Sequence, residues 1–159
     1  MDQTQTETIR RIVTKHRSLP GALLPMLHAI QAEIGWVPVD AVPSIAAALS
    51  LSQAEVHGTI SFYHHFRRTP SGRHVVQVCR AESCQACGAN ILETHAKASL
   101  GVDYHATTAD GAVTLEPVYC LGNCACSPAI RVDDEIVGRV DADRFDEIVA
   151  SLRSGKGAA

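Results

Sequence analysis

The 159-residue chain has six cysteines, all between positions 79 and 126. Three lie at Cys79, Cys84 and Cys87, and three more at Cys120, Cys124 and Cys126. Thiols grouped this way can do three kinds of chemistry. Four thiolates can hold a [2Fe–2S] cluster, in which each tetrahedral iron takes two bridging sulfides and two cysteines. Cysteine quartets on loops also hold zinc, and Cys84 and Cys87 with Cys124 and Cys126 are one such set. Cys84-Gln85-Ala86-Cys87 is also a C-x-x-C, the dithiol of thiol–disulfide oxidoreductases when it stands between a strand and the start of a helix.

These options make different demands on the elements around them. His74-Val75-Val76-Gln77-Val78 reads as a strand ending at Cys79. Val113 to Tyr119 reads as a second strand ending at Cys120, with Pro117 favouring an edge or irregular position. If the two strands are neighbours, Cys79 and Cys84 on one loop meet Cys120 and Cys124 on the other, one loop for each iron. Neither rival uses this symmetric placement of Cys79 and Cys120. An oxidised cluster with four thiolates carries a double negative charge, which needs compensation in a low-dielectric pocket. Gly88, at the start of a predicted helix, and Gly122, inside the second loop, can bring backbone N–H groups toward the sulfurs. Asn123 is a further candidate for a hydrogen bond near them. Cys87 and Cys126 read as small buried hydrophobes beside the quartet. On spacing alone, iron–sulfur, zinc and dithiol readings all stay open.

The rest of this half supports a small sheet with helices on it. Ala89 to Leu100 reads as a helix with Gly101 after it. Ala129 to Val132 and Ile136 to Val140 read as strands joined by Asp133-Asp134-Glu135. Asp141 can cap a last helix with the stripe Phe145, Ile148, Val149 and Leu152. Ser154 to Ala159 reads as a frayed tail. The order β-α-β-β-β-α implies a mixed α/β layer structure.

Residues 1–70 contain no cysteine and read as helices. Thr4-Gln5-Thr6-Glu7 fits a capping box ahead of Ile9, Ile12 and Val13. A second helix covers Gly21 to Ile34, with Pro25 in its first turn and Gly35 at its end. A third runs from Asp40 to Ser50, and a fourth from the capping box Ser52–Glu55 toward Phe62. Thr69-Pro70-Ser71-Gly72 is a turn signal and the expected boundary between residues 1–70 and 71–159. The amphipathic helices and the weakly charged stretch Pro38 to Leu51 suggest that the first segment docks to a partner. His57, His64 and His65 read as surface or interface residues rather than a metal site. Trp36 and Met26 read as packing residues, and Arg67, Arg68 and Arg73 as a solvated basic face.

Composition narrows the class. The net charge is −3 and 46% of residues are apolar. This fits a globular chain with no strong field for nucleic acid. The first residues lack the basic and apolar regions of a secretory signal, and no apolar run can span a bilayer, so a cytoplasmic location is expected. In that compartment, structural disulfides are rare.

The whole pattern resembles a known family. The C-x4-C followed by C-x3-C is similar to the thioredoxin-like [2Fe–2S] ferredoxins, and more closely to the small iron–sulfur subunit of the NADH-oxidising module of respiratory complex I. Leu24 to Gln31, Gly35-Trp36-Val37-Pro38 and Glu55 to Tyr63 resemble that subunit's helical N-terminal segment. Glu116 to Cys124 resembles its second cluster loop. Within the family, Arg80 to Gly88 looks most like the gamma subunit of soluble, molybdenum-containing, NAD-dependent formate dehydrogenase, with the diaphorase part of NAD-reducing hydrogenases next. The resemblance implies an N-terminal helical segment (1–70) followed by a thioredoxin-like [2Fe–2S] ferredoxin domain (71–159). It implies a cluster on Cys79, Cys84, Cys120 and Cys124, and electron transfer within a multi-subunit NAD-linked oxidoreductase. FMN and the NAD site would lie on a partner subunit, which would in turn meet a molybdenum-containing formate dehydrogenase subunit. The chain has no G-x-G-x-x-G of its own.

Overall fold

In the computed structural model, which describes residues 2–155, the first helix begins two residues earlier than the sequence pattern indicates. Helix α1 (Gln3–His16) is capped by Asp2, whose carboxylate accepts the Gln5 N–H at 2.7 Å while the Gln5 side chain reaches back to the Asp2 N–H. The expected cap at Thr4 is therefore displaced. Asp2-x-x-Gln5 has the same spacing as Thr4-x-x-Glu7, and using it adds residues to the helix. Helix α2 (Leu23–Ile34) ends at Gly35, whose φ of +90° closes the helix through its N–H to the Gln31 carbonyl. A 3-10 turn, Val39–Ala41, holds Asp40, so helix α3 (Val42–Leu49) starts later than expected. Pro43 explains the shift: with no N–H to donate, it is tolerated only in the first turn. Helix α4 (Gln53–Phe62) has the expected capping box between Ser52 and Glu55.

Ile12, Met26, Leu27, Ile30, Val42, Ile45 and Val56 are fully or almost fully buried and form the core of this helical unit, Met1–Pro70. The one buried polar side chain among them, Gln31, is fully used. Its Oε1 accepts the Arg67 N–H at 2.7 Å and its Nε2 donates to the His65 carbonyl at 2.8 Å. The segment after α4 is thereby tied to α2.

The second unit, Ser71–Ala159, is built on a five-stranded sheet. Its strands are β1 (His74–Cys79), β2 (Ala106–Thr107), β3 (Val113–Val118), β4 (Ala129–Val132) and β5 (Glu135–Gly138). Their order across the sheet is β2-β3-β1-β4-β5. β1 and β3 are parallel neighbours, and the other pairs are antiparallel. Helices α5 (Glu82–Ala86), α6 (Ala89–Leu100) and α7 (Ala142–Arg153) complete the unit. Val76, Val78, Leu115 and Ile130 from the strands share one core with Leu92, Ala96, Phe145 and Val149 from α6 and α7. Most of the expected tail, residues 156–159, lies outside the described residues.

Two short elements, α5 and β2, are not anticipated by the sequence pattern, because neither is long enough to show a periodicity. The expected strand Ile136 to Val140 is replaced by Glu135–Gly138, since Arg139 turns the chain with a φ of +53°. β3 stops at Val118, one residue before Tyr119. It is not an edge strand. However, β2 pairs only with Thr114 and Leu115, so at Pro117 nothing on that side requires the N–H that proline lacks.

Candidate metal centre

The parallel pairing of β1 and β3 places Cys79 opposite Val118, and the Arg80 N–H donates to the Val118 carbonyl at 2.8 Å. Cys120 follows two residues later, so both cysteine loops leave the same end of the sheet. Cys79 and Cys84 are each only 2% exposed, in a small apolar cluster with Ala89 and Ala129 and with Ala81, Val118 and Leu121 beside it. Cys120 and Cys124 are exposed.

The first loop is folded by α5, which raises Cys84 into contact with Cys79. The two thiols share one apolar cluster and act on each other's ionisation. Burial pushes the Cys79 thiol up, but hydrogen bonds from the Ala81 backbone, the Cys84 side chain and the backbone of Leu121 and Cys120 outweigh it and hold Cys79 below the ordinary thiol value. Two of those donors belong to the second loop, so the loops meet at Cys79. Cys84 goes the other way, raised first by burial.

In the second loop, Cys120 Sγ and Cys124 Sγ lie 3.9 Å apart. Cys120 has a φ of +99°, a strained conformation for a residue with a Cβ. Gly122, at φ +78°, turns its N–H onto Cys120 Sγ at 3.4 Å, as its place in the loop suggested. Gly88 does not play the matching part. Its N–H donates to the Gln85 carbonyl, because it closes α5 before opening α6.

Two serines knit the loops together. Ser127 Oγ lies 3.4 Å from Cys84 Sγ, 3.0 Å from Ser83 Oγ and 2.9 Å from the Cys124 carbonyl. Ser83 Oγ also donates to the Cys124 carbonyl at 3.2 Å. Neither serine stands out in the sequence. The only cue for Ser127 is its place just after the second cysteine loop. Asn123, the expected neighbour of the sulfurs, instead lies against Gly138. There a Cβ would stand 2.9 Å from Asn123 Nδ2 and 2.6 Å from Cys126 Cβ.

The remaining thiols stand apart from the quartet. Cys87 is exposed rather than buried, at the C-terminal end of α5. The C-x-x-C therefore spans the short α5 and the turn into α6, whose N-cap is Gly88. Burial raises the Cys84 thiol, opposite to the lowered value that a dithiol nucleophile needs. Cys126 is half-buried against β5, and its carbonyl accepts the Arg139 N–H at 2.7 Å. Of the histidines singled out in the sequence, His64 and His65 are exposed and His57 is half-buried; the His65 ring lies 5.1 Å from that of His28, and both lie against Phe66.

This donor set fits a binuclear cluster. A tetrahedral centre with metal–sulfur bonds of about 2.3 Å spaces its sulfurs about 3.8 Å apart, close to the Cys120–Cys124 separation. Among the described residues no three His, Cys, Asp or Glu side chains are grouped to hold a single ion. Cys120 and Cys124 form a close pair, and Cys79 and Cys84 share one buried cluster beside them.

Comparison with known proteins identifies the family. The family model described as "Thioredoxin-like [2Fe-2S] ferredoxin" matches residues 9–153. NADH-quinone oxidoreductase subunit 2 of Thermus thermophilus is 35% identical over 136 residues, which are 85% of this chain and 75% of that protein. The NADP-reducing hydrogenase subunit HndA of Solidesulfovibrio fructosivorans is 30% identical over 144 residues, 89% of this chain and 84% of that one. A crystal structure of an NAD+-reducing [NiFe]-hydrogenase in the air-oxidized state superposes with a TM-score of 0.71 at 27% identity. The match covers 87% of this chain but only 24% of the hydrogenase chain.

Proposed function

The chain belongs to the thioredoxin-like [2Fe–2S] ferredoxin family, and from that premise we propose that it carries one [2Fe–2S] cluster on Cys79, Cys84, Cys120 and Cys124 as the electron-transfer subunit of an NAD-linked oxidoreductase. The observation that supports this most is the meeting of two thiol pairs at the ends of β1 and β3. When bound, the cluster takes up and releases one electron at a time.

The chain's own residues supply the setting. Cys79 and Cys84 anchor the buried side, where Leu121, Val118 and Ala129 keep water away. Backbone N–H groups of Ala81, Cys120, Leu121 and Gly122 point at the sulfurs and offset their negative charge. Cys120 and Cys124 form the exposed rim, next to Tyr119 with 69% of its surface open. Electrons would enter and leave there. FMN and NAD would lie on a flavin-bearing partner subunit, and the helices of residues 1–70 would dock to it. No helix among the described residues is long and apolar enough to cross a membrane, and a cytoplasmic setting matches the free thiols.

For the parent complex we favour NAD-dependent formate dehydrogenase, with a molybdenum-containing catalytic subunit beyond the flavin partner. The support is the likeness of Arg80 to Gly88 to that enzyme's gamma subunit. A second reading, the diaphorase part of an NAD-reducing hydrogenase or the complex I module, has support from the 30% identity to the hydrogenase subunit HndA and the 35% identity to the Thermus thermophilus NADH-quinone oxidoreductase subunit.

Replacing the cysteines one at a time tests the ligand set. Cys79→Ala and Cys120→Ala should lose the visible absorption of the cluster, while Cys87→Ala and Cys126→Ala keep it. Loss in Cys87→Ala with retention in Cys79→Ala would overturn the assignment. Co-purification of the native complex, followed by assay with formate and with hydrogen, separates the two parent enzymes.

A further inference from the structure

We propose that Ser127 is a positioning residue that donates a hydrogen bond to the Cys84 sulfur and thereby raises the reduction potential of the cluster; this rests on the ligand assignment above. Ser127 Oγ faces Cys84 Sγ, Ser83 Oγ and the Cys124 carbonyl, all within 3.4 Å. These groups hold two hydroxyl protons. While Cys84 is a thiol, either it or Ser127 can donate across their contact. A metal-bound cysteine has given up its proton and can only accept. Ser127 is then the donor of that pair.

The Cys124 carbonyl is not left unsatisfied by this, because Ser83 also reaches it, at 3.2 Å. One proton goes to each acceptor: Ser127 to the Cys84 sulfur, Ser83 to the Cys124 carbonyl. Ser83 thus frees Ser127 for the sulfur. The bond sits on the buried side of the site, where Cys84 is 2% exposed and electrostatic effects are weakly screened. Reduction adds negative charge to the sulfurs, and a donor that strengthens its bond to them favours the reduced state. Three contacts, Ser83 to the Cys124 carbonyl, Ser83 to Ser127 and Cys84 to Ser127, join the two loops.

The test is an EPR-monitored redox titration of the whole chain, with iron and sulfide assayed in each variant. Ser127→Ala should keep the cluster and shift the midpoint potential to more negative values, and Ser127→Thr should restore it. Hyperfine spectra of reduced wild type in D2O should reveal an exchangeable proton that is missing from Ser127→Ala. Ser83→Ala should give a smaller shift in the same direction, because the Cys124 carbonyl then competes for the Ser127 proton. An unchanged potential and unchanged exchangeable couplings in fully loaded Ser127→Ala would overturn the proposal. Should Ser127→Ala fail to hold iron, the loaded Ser83→Ala protein decides, and a wild-type potential there overturns it. Wild-type protein that binds no iron contradicts the ligand reading instead.

Discussion

Gly138 on β5 lies so close to Cys126 that a Cβ built on it would sit 2.6 Å from Cys126 Cβ and 2.7 Å from the Cys126 carbonyl oxygen. Real Cβ atoms do not come that near, and the second obstacle is backbone, which cannot swing aside. The loop carrying Cys120 and Cys124 is therefore seated on β5 by a missing side chain. Gly138→Ala should push this loop outward and cost about 1–3 kcal/mol, the range for overpacking a well-packed site. Thermal unfolding and the rate of cluster loss measure it. A variant with wild-type Tm and wild-type cluster lifetime would show that the loop has room to spare.

The sheet beneath the site depends on Phe145, which is fully buried between α7 and the strands and meets the His95 ring edge-on. Phe145→Ala should destabilise the second unit by about 3–5 kcal/mol through lost burial and the cavity left behind. Denaturant titration reads the change. A loss under about 1 kcal/mol would mean the core collapses around the gap.

How much of the molecule is legible in its sequence varies with the length of the signal. The α6 boundaries, Ala89 to Leu100, and the caps at Ser52 and Asp141 follow from local chemistry within a few residues. By contrast, the sequence leaves open whether β1 and β3 are neighbours; their parallel pairing is visible only in the fold. Helix α5 is five residues long, and nothing in Glu82 to Ala86 announces a helix. The Ser127–Cys84 contact joins residues 43 apart in the chain, and no local pattern encodes it. Asn123 looks well placed as a loop amide, but the close approach of Gly138, visible only in three dimensions, turns it toward β5.

An acid-sensitive link joins α6 to α7. Asp146 accepts the Ser99 hydroxyl at 2.8 Å and pairs with His95 Nε2 at 3.0 Å. The Ser99 hydroxyl first, and His95 next, hold its carboxyl below the ordinary value of 3.8. A carboxyl with a lower pKa in the folded state adds stability above its unfolded value, and that stability is lost as pH falls through the folded one. Because Asp146 is about half exposed, the effect is under about 1 kcal/mol. Asp146→Asn should lower Tm slightly near neutral pH and match wild type once pH is well below 3.8. An equal Tm difference at both extremes would contradict this.

The docking role proposed for residues 1–70 can be tested without deleting them. Phe62 ends α4 with 75% of its surface exposed, stacked edge-on with Tyr63 at 5.0 Å. Phe62→Asp should change stability by no more than about 0.5 kcal/mol, as surface substitutions do. It should reduce co-purification with the flavin-bearing subunit. Full recovery of the complex would remove Phe62 from the docking surface.

EPR of the dithionite-reduced protein, with iron and sulfide analysis of the same sample, tests the cluster most directly. Two thiol pairs at the ends of β1 and β3 should yield iron and sulfide in equal amounts, two of each per chain as a [2Fe–2S] centre requires, and a low-temperature signal from one unpaired electron. A protein that binds zinc in place of iron, or that holds iron without sulfide, would contradict it.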